Sequence, residues 1–284
     1  MKKNPCGLLY CALIATMLLT ACLKSGDPIV LPPLPSPARI VQINDKHDSY
    51  PDSFRVYYDS HGYPERIVPS VVSTGKPMWL FRYDQQHRLV ARIGAYDSEL
   101  SSYEMAYRYI YDQAGRVSSD SQYIMGTYDT INTPARIHDQ PFRCTNYHYD
   151  HLNRISQAVT TELMISSPRY RFTTNYYYNT AGNATKIERI RKEISLPDSL
   201  CAPYCAPPDT LTFYYTFDNK TDFHNLHPVW QLTDKNYNKN NAYQVLSYDA
   251  NGLPTEFLPE PPFLQTYMLG IYMSRVAIQY QYLP

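Results

Sequence analysis

Apolar and polar residues alternate with a period of two over seven short stretches of this 284-residue chain, and each stretch ends in an aromatic residue followed by Asp or Asn. Counting back from that acid or amide, the first, third and fifth positions are Tyr58, Val56 and Phe54 in the first stretch. They are Tyr83, Phe81 and Trp79 in the second and Tyr111, Tyr109 and Tyr107 in the third. The positions between are mostly polar, as at Arg82, Arg108 and Asn175. One apolar face at every second residue is what a half-buried strand of an antiparallel sheet presents, whereas helical spacing would scatter the rings around a cylinder. The closing dipeptides are Tyr58-Asp59, Tyr83-Asp84, Tyr111-Asp112, Tyr149-Asp150, Tyr178-Asn179, Phe217-Asp218 and Tyr248-Asp249, and Tyr282 opens an eighth. They recur 25 to 39 residues apart, the length of one hairpin with variable loops, so the chain reads as an internal repeat.

The third residue past each Asp or Asn is Gly62, Gly115, Gly182 or Gly252 in four units, His87 and Asn153 in two more, and Thr221 in the sixth. An Asp followed three residues later by a residue able to turn left-handed is type I turn chemistry. Asn and His tolerate that backbone better than most side chains do, but β-branched Thr221 fits it badly. The sixth unit is therefore predicted to turn differently. A second strand follows each turn, as at Arg88-Leu89-Val90 and Arg154-Ile155. The prediction is an all-β fold over residues 39–284, in which repeated β-hairpins join edge to edge as one large antiparallel sheet. It should be twisted or rolled, because sheets beyond about ten strands rarely stay flat. Twenty-nine Tyr against nine Phe point to a shallow core whose hydroxyls reach water.

Tyr111-Asp112-Gln113-Ala114-Gly115-Arg116-Val117 and Tyr149-Asp150-His151-Leu152-Asn153-Arg154-Ile155 resemble the YD repeat of Rhs-type proteins. The segment from Phe213 to Lys220 resembles one found in small Bacteroidota-type lipoproteins built from such repeats. The resemblance covers about residues 54–284 and implies a rolled or spiralling antiparallel sheet. Large Rhs proteins close many more repeats into a cocoon around a toxin. Seven or eight units fall short of that, so cocoon and delivery functions are not carried over.

Residues 1–21 read as a bacterial export signal, with Lys2 and Lys3 ahead of an apolar run from Leu8 to Leu19 that is too short to span a bilayer. Leu19-Thr20-Ala21-Cys22 matches the lipobox that is cleaved before a lipidated cysteine, here Cys22. An ordinary secretory signal is the alternative. Leu23 after that cysteine, by resemblance to lipoproteins generally, implies an outer-membrane anchor, with the periplasmic or surface face left open. Residues 22–38 are proline-rich and read as an extended stalk. The chain carries 26 basic and 26 acidic side chains with no basic block, so nucleic-acid binding lacks its electrostatic footprint. Cys201 and Cys205 sit in a proline-rich insertion and read as a local disulfide; the alternative leaves them and Cys144 as thiols.

Candidate chemistry is sparse. His224 and His227, with Asp222 nearby, have metal-like spacing but no third ligand, and an ordinary loop explains them as well. Asp218 to Asp222 has a calcium-loop flavour spoiled by Lys220 at a ligand position. The near carboxylate pairs, Glu188 with Glu193, Asp97 with Glu99 and Glu256 with Glu260, suit charged edge strands as readily as hydrolysis. No nucleophile elbow, zinc-protease helix or phosphate loop is present, and neither a metal nor a cofactor is assigned. Tyr57, Tyr177 and Tyr214 fall on the outward face, and Trp230 lies in the long connection after the sixth unit. Together they are the candidate ligand-binding aromatics. The function expected is a non-enzymatic, membrane-anchored module binding a glycan or protein. The alternatives are a structural envelope protein joined through its sheet edges, or a carbohydrate-active hydrolase.

Overall fold

A computed structural model describes residues 38–46, 52–96, 102–127, 140–163, 169–194, 207–258, 266–269 and 271–283. The signal, Cys22, the stalk up to residue 37, Cys201, Cys205, Asp97, Glu99 and Glu260 lie outside the described residues. Twelve strands follow one another as neighbours. They are β1 (Ala38–Asp45), β2 (Asp52–Tyr58), β3 (Pro64–Pro69), β4 (Met78–Tyr83), β5 (Leu89–Ala95) and β6 (Ser102–Tyr111), then β7 (Val117–Thr127), β8 (Arg143–Tyr149), β9 (Ile155–Glu162), β10 (Tyr170–Tyr178), β11 (Ala184–Glu193) and β12 (Asp209–Tyr214). The chain then leaves the sheet over residues 215–243 and rejoins it beyond β1. There β13 (Gln244–Tyr248), β14 (Pro254–Leu258) and β17 (Val276–Tyr282) complete fifteen strands in the order β1-β17-β14-β13. A separate hairpin pairs β15 (Thr266–Met268) with β16 (Ile271–Met273). The fold is all-β, and every pairing in the large sheet is antiparallel. The unbroken edge-to-edge succession is corrected: C-terminal β17 pairs with β1, and the hairpin β13–β14 follows beyond β17 instead of beside β12.

Six hairpins share one local design. Tyr83 faces Leu89 and Arg82 faces Ala91, leaving Val90 as a bulge, and the same slip follows Tyr58, Tyr111, Tyr149, Tyr178 and Tyr248. Asp84 organises its turn: Oδ1 accepts the Gln86 and Arg88 N–H groups at 2.9 Å, and its carbonyl accepts the His87 N–H at 3.0 Å. His87 (φ 56°) and Asn153 (φ 60°) take the left-handed backbone that glycine takes in the sister turns, as at Gly115 (φ 74°). That geometry matches the right-handed twist of the flanking strands.

Successive hairpins are locked by the residues of the repeat themselves. The hydroxyls expected to reach water instead donate to backbone carbonyls of the preceding hairpin: Tyr83 to Pro64 (2.7 Å), Tyr111 to Leu89 (2.9 Å), Tyr149 to Val117 (2.7 Å) and Tyr178 to Ile155 (3.0 Å). In each case the acceptor opens the second strand of that hairpin. Burial pushes the Tyr149 phenol up to about 12, so it stays a donor. The arginine four residues past the Asp adds a second lock. Arg154 binds Asp150 of its own turn through Nε (2.8 Å) and Nη2 (2.7 Å), and its guanidinium lies 4.2 Å from the ring centre of Tyr178 in the next unit. Arg88 over Tyr111 and Arg116 over Tyr149 repeat the arrangement at 4.6 Å.

The sixth unit does turn differently, and what replaces its hairpin covers the inner face of the sheet. Asp222 accepts the His224 N–H (2.8 Å) to open a 3₁₀ turn, Phe223–Leu226. His227 is extended and its Nδ1 accepts the Val229 N–H (3.1 Å), capping helix α1 (Pro228–Asp234) with proline at its first position. From this insert Trp230 meets Phe81 of β4 edge-on (5.8 Å), Phe223 stacks on Phe257 of β14 (5.8 Å), and Asn238 accepts the Ala184 N–H of β11 (2.7 Å). On a flat sheet β11 and β14 would lie roughly 58 Å apart at about 4.8 Å per strand. The two ends of the insert are paired with each other, the Asp222 N–H donating to the Lys239 carbonyl at 3.1 Å, and they touch both strands, so the sheet bends around it.

Candidate functional site

On the face of the sheet opposite this core, cross-strand register brings two of the candidate tyrosines together. Tyr177 in β10 faces Lys186 in β11, and Lys186 faces Tyr214 in β12. The neighbours Tyr176 and Tyr178 point into the core side, so alternation sends Tyr177 outward. Tyr214 is 76% exposed because β12 ends the sheet, and Tyr177 is 45% exposed. Lys186 Nζ lies 4.7 Å from the centre of the Tyr177 ring and 3.0 Å from Glu188 Oε1, and the Tyr177 hydroxyl donates to Glu188 Oε2 (3.2 Å). The hydrogen bond to Glu188 raises the Lys186 pKa, and the same bond lowers that of Glu188, so both stay charged at neutral pH. The result is two phenol rings about 9–10 Å apart, two strand spacings, with an ion pair between them. Rings of this kind stack on the apolar faces of sugars, while the lysine and carboxylate can serve hydroxyls.

The other candidates are placed elsewhere. Tyr57 is on β2, half-buried, with Arg66 stacked 4.4 Å from its ring, and is not part of this row. Trp230 is corrected outright: at 1% exposure it is a core residue of the insert and no surface platform. A tryptophan in a connection outside the repeat pattern carries no sign of which way it faces. His224 and His227 do not act together. His224 is buried between two carboxylates, Nδ1 2.6 Å from Asp222 and Nε2 2.8 Å from Asp234. Burial alone would lower its pKa, but the two carboxylates raise it to about 9. His227 is neutral, its pKa lowered to about 3 by burial despite Asp59. Asp218 accepts from the Lys220 N–H and from the Asn241 backbone and side-chain N–H groups, as a turn-starting Asp does. Glu256 is paired with Arg275 (2.6 Å), and Cys144 is a half-buried thiol 3.3 Å from Ser121 Oγ.

A cavity of about 280 Å³ lies between β10, β11 and the insert, walled by Tyr176, Tyr178, Tyr237 and Tyr243 with His224 beside them. Sequence reasoning missed Lys186, although writing out the bulged hairpin places it opposite Tyr177. It also missed Arg92, a charged residue at an inward position of β5, which that alternation alone makes conspicuous.

No protein-family model and no curated protein matches the chain. Among solved structures, a chain in the crystal structure of TcdB2-TccC3-Cdc42 is similar at 14% identity with a TM-score of 0.29, over 75% of this chain and 11% of that one. This chain thus spans about a tenth of that neighbour's length.

Proposed function

We propose that this chain is a lipid-anchored outer-membrane protein, of the small YD-repeat lipoprotein kind it resembles, that binds a glycan without transforming it. The observation that carries the reading is the exposed row Tyr177, Lys186 and Tyr214. The lipobox before Cys22 and the proline-rich stalk support the anchor, since a stalk holds a binding face clear of a membrane. Glycan arrays followed by calorimetry test it. A Tyr177→Ala/Tyr214→Ala double variant is expected to lose at least tenfold in affinity, with Tyr57→Ala unchanged. Binding that survives the double variant, or an array with no ligand, overturns the reading. Assembly through the sheet edge is the second reading, favoured by terminal strand β12, where Leu211 is 52% exposed. It requires concentration-dependent oligomers that Thr212→Pro abolishes, and a strictly monomeric protein removes it.

A further inference from the structure

Arg92 is a buried cation whose Nε and Nη1 have no hydrogen-bond partner. Register places it on the inner face, between Phe81 of β4 and Tyr107 of β6, and it is 3% exposed. Its guanidinium carbon lies 4.5 Å from the ring centre of Trp79 and 4.3 Å from that of Tyr107. Ring faces hold the charge, but they leave its N–H groups unserved: Nε and Nη1 have no hydrogen-bond partner, and among the described residues no carboxylate pairs with it. A buried charge lacking hydrogen bonds is strongly destabilising unless something completes it.

Arg92 lines an inner-face cleft of about 390 Å³, within the size range of small-ligand sites. The same cleft is lined by the hydroxyls of Thr145 and Thr160, 3.0 Å apart, the Gln122 amide, and Thr233 of α1, whose buried Oγ1 likewise has no partner. Four cations and three carboxylates line the space, one positive charge in excess. Most are already committed: Arg143 to Glu162 (2.8 Å), Lys235 to Asp120 (3.2 Å) and Asp234 to His224 (2.8 Å). Arg189 stacks on Phe172 at the exposed rim. An excess of one charge suits a monoanion better than a doubly charged phosphate.

We propose that this cleft binds a small monoanionic carboxylate ligand, its carboxylate on Arg92 and its polar remainder against Thr145, Thr160 and Gln122. Guanidinium is the side chain best shaped for a carboxylate, and aromatic walls beside hydroxyls suit a compact, hydroxylated molecule. A uronic acid and a small acylated amino acid both offer such a carboxylate. The site is on the opposite sheet face from Tyr177 and Tyr214 and stands whether or not that row binds a glycan.

The test uses the full chain in detergent, with galacturonate, neutral galactose and N-acetylglycine as probes for calorimetry. Galacturonate is expected to bind at least tenfold tighter than galactose, and Arg92→Lys and Arg92→Gln to lose at least tenfold, while the Tyr177/Tyr214 ligand is unaffected. Stronger binding of N-acetylglycine would keep the carboxylate and assign its source to an amino acid instead of a sugar. Because a variant at so buried a residue can fail to fold, the Arg92 Nε–H resonance of the unmodified protein is followed during the same titrations. A saturable change in that signal supports the site. No change with either carboxylate, or equal binding of galactose and galacturonate, overturns it.

Discussion

The six turns that close and the one that does not begin with the same kind of dipeptide. In the unit at Asp150, both functions of the carboxylate are spent within four residues: Oδ1 on the Leu152 and Arg154 N–H groups, Oδ2 on the Arg154 guanidinium. Asp218 starts the same way, accepting the Lys220 N–H at 2.9 Å. Its remaining capacity goes to distant partners, the backbone and amide of Asn241 and the hydroxyl of Tyr248. Two positions account for the change. The third residue is Thr221, which resists the left-handed backbone and instead forms a bridge with Asn240. The fourth is Asp222 where three of the other units have arginine, and it caps a 3₁₀ turn and binds His224. A repeat that fails locally thus releases a segment long enough to fill the hollow the other repeats leave.

The sharpest way to break that comparison is to remove the anchor of the insert. Trp230→Ala deletes a fully buried ring set against Phe81 and is expected to destabilise the fold by about 3–5 kcal/mol in urea unfolding. Tyr214→Ala, an equally large change on the exposed strand, should stay within about 0.5 kcal/mol. Similar losses at the two sites would mean the insert is not what the sheet packs around.

Acidity separates the two histidines of the insert. His224, raised to about 9 in the fold from an ordinary 6.5, contributes stability that is complete below pH 6.5 and is lost as pH rises through 9. His227, lowered to about 3, contributes above pH 6.5 and loses that contribution as pH falls toward 3. Each contribution is on the order of 3–5 kcal/mol, since every tenfold change in proton affinity is worth about 1.4 kcal/mol. Urea midpoints should therefore fall on both sides of neutrality. His224→Gln should flatten the alkaline limb, and His227→Gln the stretch between pH 6.5 and 4. Below that stretch the turn aspartates Asp84, Asp112 and Asp150, whose pKa values are lowered, take over the acid limb. A variant pair with identical pH profiles would contradict the opposed roles.

Strands and turns were legible because their causes are local. Period-two alternation marks Phe54 to Tyr58, and a left-handed residue three past the Asp marks each turn, even where it is His87 or Asn153. Thr221 announced its own exception. Two kinds of feature were hidden. Pairing of β17 with β1 joins residues more than 230 apart, such as Ile43 and Ile278, and no local pattern encodes it. Helix α1 is two turns long, too short for a periodicity signal, and only the His227-Pro228 pair, a cap followed by proline, hints at it. The candidate row was half legible: alternation put Tyr177 and Tyr214 outward, but only register shows that Lys186 stands between them.

The smallest expected effect probes the link between repeats. Arg154 is four-fifths buried, binds Asp150 through two nitrogens and stacks on Tyr178, so it joins one unit to the next. Arg154→Lys keeps the charge but loses the planar fork and the ring stacking, and should cost about 0.5–1 kcal/mol. Tyr178→Leu removes the ring and also the hydroxyl bond to the Ile155 carbonyl. If the stacked pair is a real link, the double variant should be less destabilised than the sum of the singles by about 0.5 kcal/mol or more. Strict additivity would leave neighbouring hairpins joined by ladder hydrogen bonds and tyrosine hydroxyls alone. The sixth unit sets the baseline for that measurement: with Asp222 in the arginine position it has no such lock, and there the chain departs from the sheet.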